Sequence, residues 1–235
     1  TEIDLSYSQA MSRAWDAHQD DPDIGAMYAE SLMNMQRWDY WGADGEPLGN
    51  TEELLSALEN AMALNNFHPG ANHFYIHAIE ASKTPEKGIP SAERLKELVP
   101  GSGHLVHMPS HIFVNVGRYA EAVSANQRAI EADASYFSKV GTPTFYRIYF
   151  LHNIHFLTYA AMMTGQKELA LQAVTKMESE LPAEMIQAFA KDVDSLSSAR
   201  LHVYMRFGMW QELVDFPEYE EYRHASRAMR AYTRS

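Results

Sequence analysis

The sequence predicts an all-α fold: a right-handed solenoid of helix–turn–helix repeats with aromatic insertions, forming one array over residues 1–235. Three observations carry this. A glycine turn leading into a helix stands at Gly117-Arg118-Tyr119-Ala120-Glu121-Ala122-Val123, returns at Gly165-Gln166-Lys167-Glu168-Leu169-Ala170, and returns more weakly at Phe207-Gly208-Met209-Trp210. The helix after the first of these carries Ala122, Ala125 and Ala129 at i, i+3 and i+7, which lets a neighbouring helix approach closely. The unit that contains them repeats with a period of about 34 residues, the mark of an array in which each repeat buries its face on the next.

Taken in order, residues 2–16 read as a leading helix. Residues 23–35 read as the first helix of a pair, with Ala29 at its packing position. Residues 51–64 read as its partner, its start capped by Thr51 with Glu53 behind it. Setting Gly117 at the fifteenth position of a repeat starts that repeat at Gly103. One period earlier a repeat opens at Pro69, has its second helix at residues 91–98 and closes at Pro100. Pro109 lacks the N–H that would bond the Leu105 carbonyl, so a kink is expected between His107 and His111. Two insertions break the period. Residues 37–50 contain Trp38, Tyr40, Trp41 and three glycines, and residues 135–149 are rich in Tyr and Phe. Long connections in a compact array serve as lids or binding loops. An aromatic plug sealing the hydrophobic seam is the alternative.

The turn and its small residues resemble the tetratricopeptide repeat, in which a Gly ends the first helix and small residues seat the second. That resemblance implies that the second, fifth, ninth and twelfth positions of each first helix line a concave groove. The register was set by Gly, Ala and aromatic residues, so the histidines test it independently. His104, His107 and His111 take the second, fifth and ninth positions, and His73, His77 and Glu80 take the fifth, ninth and twelfth one repeat earlier. His152 and His155 take the second and fifth of the next repeat, and His202 the ninth of the last. These are eight of the eleven histidines, and the exceptions are His18, His68 and His224.

The chemistry follows from helix geometry. Side chains at i and i+4 share a face, about 5–6 Å apart at Cβ, and two imidazoles so placed converge on one ion at ~2.0–2.1 Å per bond. His73 and His77 have this spacing, with Glu80 on the same stripe; His107 and His111 have it on a neighbouring helix. The expected metal ligands are therefore His73, His77, Glu80, His104, His107, His111, His152 and His155. That set exceeds the needs of one ion, so two ions or additional acid, base and substrate roles are expected. Imidazole and carboxylate suit Zn, Fe, Cu or Mn. Glu80 is either a ligand or the general base for metal-bound water, with Glu30 a second candidate base. Trp38, Trp41, Tyr146 and Tyr149 are the candidate substrate lid.

The segments Asn72-His73-Phe74-Tyr75-Ile76-His77-Ala78-Ile79-Glu80-Ala81-Ser82 and His104-Leu105-Val106-His107-Met108-Pro109-Ser110-His111-Ile112 are similar to a bacterial subfamily of tetratricopeptide proteins, as are His152-Asn153-Ile154-His155 and Arg37-Trp38-Asp39-Tyr40-Trp41. Members of that subfamily are longer at both ends. The resemblance therefore implies a piece of a larger array, with missing repeats or an additional chain supplying further ligands. It brings no settled activity.

Composition bounds the rest. The net charge of −12 has no Lys/Arg stripe to set against it, which argues against nucleic acid. Apolar runs break well before ~18 residues, so no membrane helix is expected. The absence of cysteine removes disulfides and thiolate chemistry and leaves the compartment open. Three functions fit: a metal-dependent hydrolase or oxidoreductase acting on a small molecule, a scaffold that binds a peptide in its groove, or metal storage and delivery.

Overall fold

The computed structural model describes residues 1–141 and 145–235. Among the described residues the regular elements are all helices, with a single isolated bridge, Trp41 to Pro47, and no strand. They divide into two compact units, Thr1–Arg118 and Tyr119–Ser235.

The first unit contains α1 (Glu2–Ala17), α2 (Pro22–Met35), α3 (Thr51–Leu64), α4 (Pro69–Ile79), α5 (Ile89–Leu98), α6 (Gly103–His107) and α7 (Pro109–Asn115). Three of the starts are capped by a side chain. Thr1 and Asp4 close a capping box on α1. Asp21 accepts from the amides of Asp23 and Ile24 ahead of Pro22 at the first turn of α2. The His68 Nδ1 accepts from the Ala71 amide at 2.9 Å and caps α4, while its Nε2 reaches Asp23 at 2.7 Å. Neighbouring helices pack in chain order around Leu54, Leu58, Ala61, Ile76, Leu95 and Ile112, all fully buried. Gly88, just before α5, lets α4 and α7 close on each other: a Cβ there would stand 2.5 Å from Ile112 and 3.0 Å from Ile79.

The Pro109 break falls where the sequence puts it. Helix α6 ends at His107 and α7 begins at Pro109, and the His111 amide bonds Met108 in a tighter turn. Residues 37–50 are an insertion pinned from several sides. The Leu48 amide bonds the Tyr40 carbonyl, Thr51 Oγ1 donates to the same carbonyl, and the Gln36 side chain bonds Leu48, Asn50 and Thr51. The Trp41 indole donates to the Ala78 carbonyl of α4 at 2.7 Å.

The second unit holds α8 (Tyr119–Val140), α9 (Arg147–Met163), α10 (Lys167–Glu180), α11 (Ala183–Ala188), α12 (Ala190–Val193), α13 (Ala199–Arg206), α14 (Trp210–Asp215) and α15 (His224–Thr233). Phe150, Ile154, Met177, Leu201 and Leu213 form its core. The expected insertion over residues 135–149 is shorter here. Helix α8 continues unbroken to Val140 and α9 starts at Arg147, while residues 142–144 of the expected insertion lie outside the described residues. The reason is packing: Phe137 meets Phe150 and Tyr146 at 5.2 and 5.8 Å between ring centroids, and Tyr146 donates to the buried Asp133 at 3.0 Å. These aromatics fill the seam between α8 and α9.

The three turn glycines adopt the left-handed conformation, φ +77° at Gly117, +73° at Gly165 and +64° at Gly208. In each turn the following amide reaches back to a carbonyl five residues before it: Arg118 to Phe113, Gln166 to Ala161, Met209 to Tyr204, at 2.8–2.9 Å. This is the Schellman closure of a helix end, and the same solution recurs three times. No described helix is long and apolar enough to cross a membrane.

Candidate metal centre

Helix α4 carries His73 and His77 one turn apart, with Glu80 as its C-cap residue. Helices α6 and α7 bring His104, His107 and His111 against them. The imidazoles form a continuous chain of ring contacts, with centroids 5.0 Å apart for His73–His77 and His73–His104, 5.3 Å for His77–His111 and 4.8 Å for His107–His111. Two pairs meet nitrogen to nitrogen: His104 Nε2 to His73 Nε2 at 3.1 Å, and His107 Nε2 to His111 Nε2 at 2.9 Å. Two nitrogens bound to one ion at ~2.0–2.1 Å stand roughly 2.9 Å apart at a right angle and about 3.4 Å at the tetrahedral angle. The imidazole pairs already have nearly that separation. Within the first unit two triads have ligand atoms within 4.8 Å of one another, His73–His77–His104 and His77–Glu80–His111, with His77 common to both.

Glu80 organises the cluster. Its Oε1 contacts His77 Nδ1 at 2.9 Å and its Oε2 contacts His111 Nδ1 at 2.6 Å. An ionised carboxylate only accepts, so both Nδ1 atoms carry the hydrogen, which leaves Nε2 as the atom through which either ring would bind an ion. This is how carboxylates orient metal-binding histidines. Burial alone would raise the Glu80 pKa, but the hydrogen bonds from His111 and His77 outweigh it and hold the group at about 2. Burial, followed by repulsion from His77 and His104, lowers His73 to about 2. Burial, followed by His77 and His111, lowers His104 to about 4. At neutral pH His73 and His104 are therefore neutral and Glu80 is ionised, the protonation state that a cation needs of them.

His107 is fully buried, with the Ser110 hydroxyl 3.3 Å from its Nδ1. The Asn115 side chain donates to the Glu80 carbonyl at 2.8 Å and ties α7 to the end of α4. Beside His77 and Glu80 lies a cavity of about 330 Å³ walled by Trp38, Tyr40, Ala81 and Asn115. Trp38 meets His77 edge-on at 4.9 Å between centroids. It is 67% exposed, and it alone among the described non-glycine residues has a positive φ, +64°. Trp41 is spent on the Ala78 carbonyl.

Glu30 of α2 accepts from Asn34 at 2.6 Å and bonds the Tyr7 hydroxyl, and it belongs to neither triad. His152 and His155 lie on α9 in the second unit. His152 packs on Phe156 at 4.8 Å, and burial followed by His202 lowers the His155 pKa. Tyr146 and Tyr149 stack on each other at 5.7 Å in the same unit. Sequence reasoning missed the orienting geometry of Glu80 and the cap at His68. Only the last had a signal, because a residue directly before Pro at a helix start is the capping position.

No protein-family model matches this chain, and a search of curated proteins returns no match to it.

Proposed function

We propose that this protein binds a transition-metal ion through the imidazoles of its first unit and uses it to act on a small molecule, on a scaffold of tetratricopeptide-like helix pairs. The scaffold reading draws support from the three Schellman turns at Gly117, Gly165 and Gly208. The metal reading rests above all on one observation: Glu80 holds the Nδ1 atoms of His77 and His111 with its two oxygens. Two helices converge on one carboxylate that orients two rings, with His73, His104 and His107 beside them. A peptide groove is less well supported, since His107 and His111 are buried and unavailable to an extended partner.

The chain's own groups would do three things. The triads would hold a Zn, Fe, Cu or Mn ion, Glu80 would fix its ligands, and the cavity beside Trp38 would admit the reactant. The ion would supply Lewis acidity, lowering the pKa of a bound water, or electron transfer.

The test is elemental analysis of untagged protein purified without immobilised metal. At least about one ion per chain is expected, and less than ~0.2, with melting unchanged by EDTA, would sink the proposal. His77→Ala and His111→Ala are each expected to cut occupancy by tenfold or more at limiting metal, as loss of a ligand or its orienting partner does. His18→Ala and His224→Ala are expected to leave it unchanged.

A further inference from the structure

We infer that the cavity beside His77 binds a small planar ligand that is neutral or cationic, never anionic, and that Trp38 is its specificity-determining wall. The inference rests on the metal reading only for what happens to the ligand afterwards. Its binding follows from the cavity itself.

The cavity measures about 330 Å³, the size of one small organic molecule. Its walls divide by chemistry. Trp38 and Tyr40 give an aromatic side, which suits a flat ring or an ammonium over an indole. Glu80, His77 and Asn115 give a polar side, and Ala81 leaves the space between them. The wall contains a carboxylate and no lysine or arginine. Two cations close to its walls in sequence are paired with other carboxylates: Arg37 lies 3.9 Å from Asp4 and Lys83 lies 3.4 Å from Glu46. An anion entering here would meet Glu80 without a counter-charge.

Trp38 supplies the second observation. A non-glycine residue at φ +64° is strained, and such strain costs about 1–3 kcal/mol and survives only where the surroundings impose it. They impose it here. The Gln36 side chain and Thr51 clamp the insertion, the Trp41 indole fastens it to α4, and the Tyr40 hydroxyl bonds the Trp38 backbone. Yet the indole so held is two-thirds exposed, so it contributes little core burial in return. A rigid loop that holds a strained and exposed indole at the mouth of a cavity is built for contact with something that enters.

Benzylamine, benzamide and benzoate share one flat ring and differ in charge, so they probe the site by calorimetry on the full chain, metal-free and zinc-loaded. In metal-free protein, benzylamine and benzamide are expected to bind one per chain with Kd on the order of 1 mM, the range for ligands of this size. Benzoate is expected to bind at least about tenfold more weakly. Trp38→Gly should weaken the two binders about tenfold while the melting temperature holds or rises, because glycine relieves the positive φ. Ala81→Phe, at an exposed position of the wall, should fill the cavity and abolish binding without touching the loop. Benzoate binding as tightly as benzylamine to metal-free protein, or full binding in Ala81→Phe, would overturn the inference. Probe binding in a protein that takes up no metal would remove the metal reading and leave this one standing; metal uptake without probe binding would do the reverse.

Discussion

His73 and Glu80 carry the pH behaviour of the first unit, and the sign follows from their neighbours. In the unfolded chain an imidazole titrates near 6.5 and a Glu carboxylate near 4.5, whereas folding lowers His73 to about 2, His104 to about 4 and Glu80 to about 2. Below pH 6.5 the unfolded chain therefore takes up protons that the folded imidazoles refuse, so stability falls as pH falls. The stabilisation from the Glu80 hydrogen bonds is complete above pH 4.5 and is lost on the way down to about 2. Acid unfolding followed by circular dichroism is expected to begin near pH 6, and His73→Gln should move its onset downward, since glutamine has no proton to gain. An onset at pH 4.5 in both proteins would mean that carboxylates alone set the acid limit. At this scale the sequence was legible in part. The i, i+4 spacing of His73 and His77 announced a shared face, but no spacing reveals which oxygen of Glu80 meets which ring nitrogen. That depends on how far α7 sits from α4.

That distance is an element property, and Gly88 helps to set it. With no side chain there, Ile112 of α7 and Ile79 of α4 occupy the space, and these are the immediate neighbours of His111 and Glu80. Gly88→Ala would press a methyl group to within 2.5 Å of a fully buried isoleucine. The expected cost is about 1–3 kcal/mol by chemical denaturation, the range for overpacking, with metal occupancy falling at the same time. Unchanged stability would show that α7 is free to shift. Helix boundaries were the most legible feature, because prolines and turn residues act within one turn: α3 starts at Thr51 as expected and Pro109 separates α6 from α7, although Thr51 does not cap α3 and its hydroxyl bonds the Tyr40 and Leu48 carbonyls instead. The stretch 135–140 was misread as part of an insertion. Its aromatics look like a loop cluster in sequence, but on a continued α8 they face Tyr146 and Phe150 of the same unit.

Over the whole molecule, the two units give metal binding a regional signature. The two triads of the first unit draw on residues 73–111, so saturating metal held there should protect the amides of α4, α6 and α7 from hydrogen exchange, by about 2.7 kcal/mol at a hundredfold excess over Kd. The amides of α13 and α15 are expected to change little; equal protection there would mean that the ion's effect is not local to these triads. The net charge of −12 favours cations near every face and adds a general bias against anionic ligands. The three glycine turns were readable in the sequence, and they carry one more consequence. Around Gly117 and Gly165 a Cβ would meet nothing within 4 Å. The space there would admit a larger residue; the backbone handedness would not. These positions sense chirality alone: a D-alanine would sit comfortably where its mirror image is strained, and along the chain's evolution the barrier to replacing either glycine is one of hand, not of size.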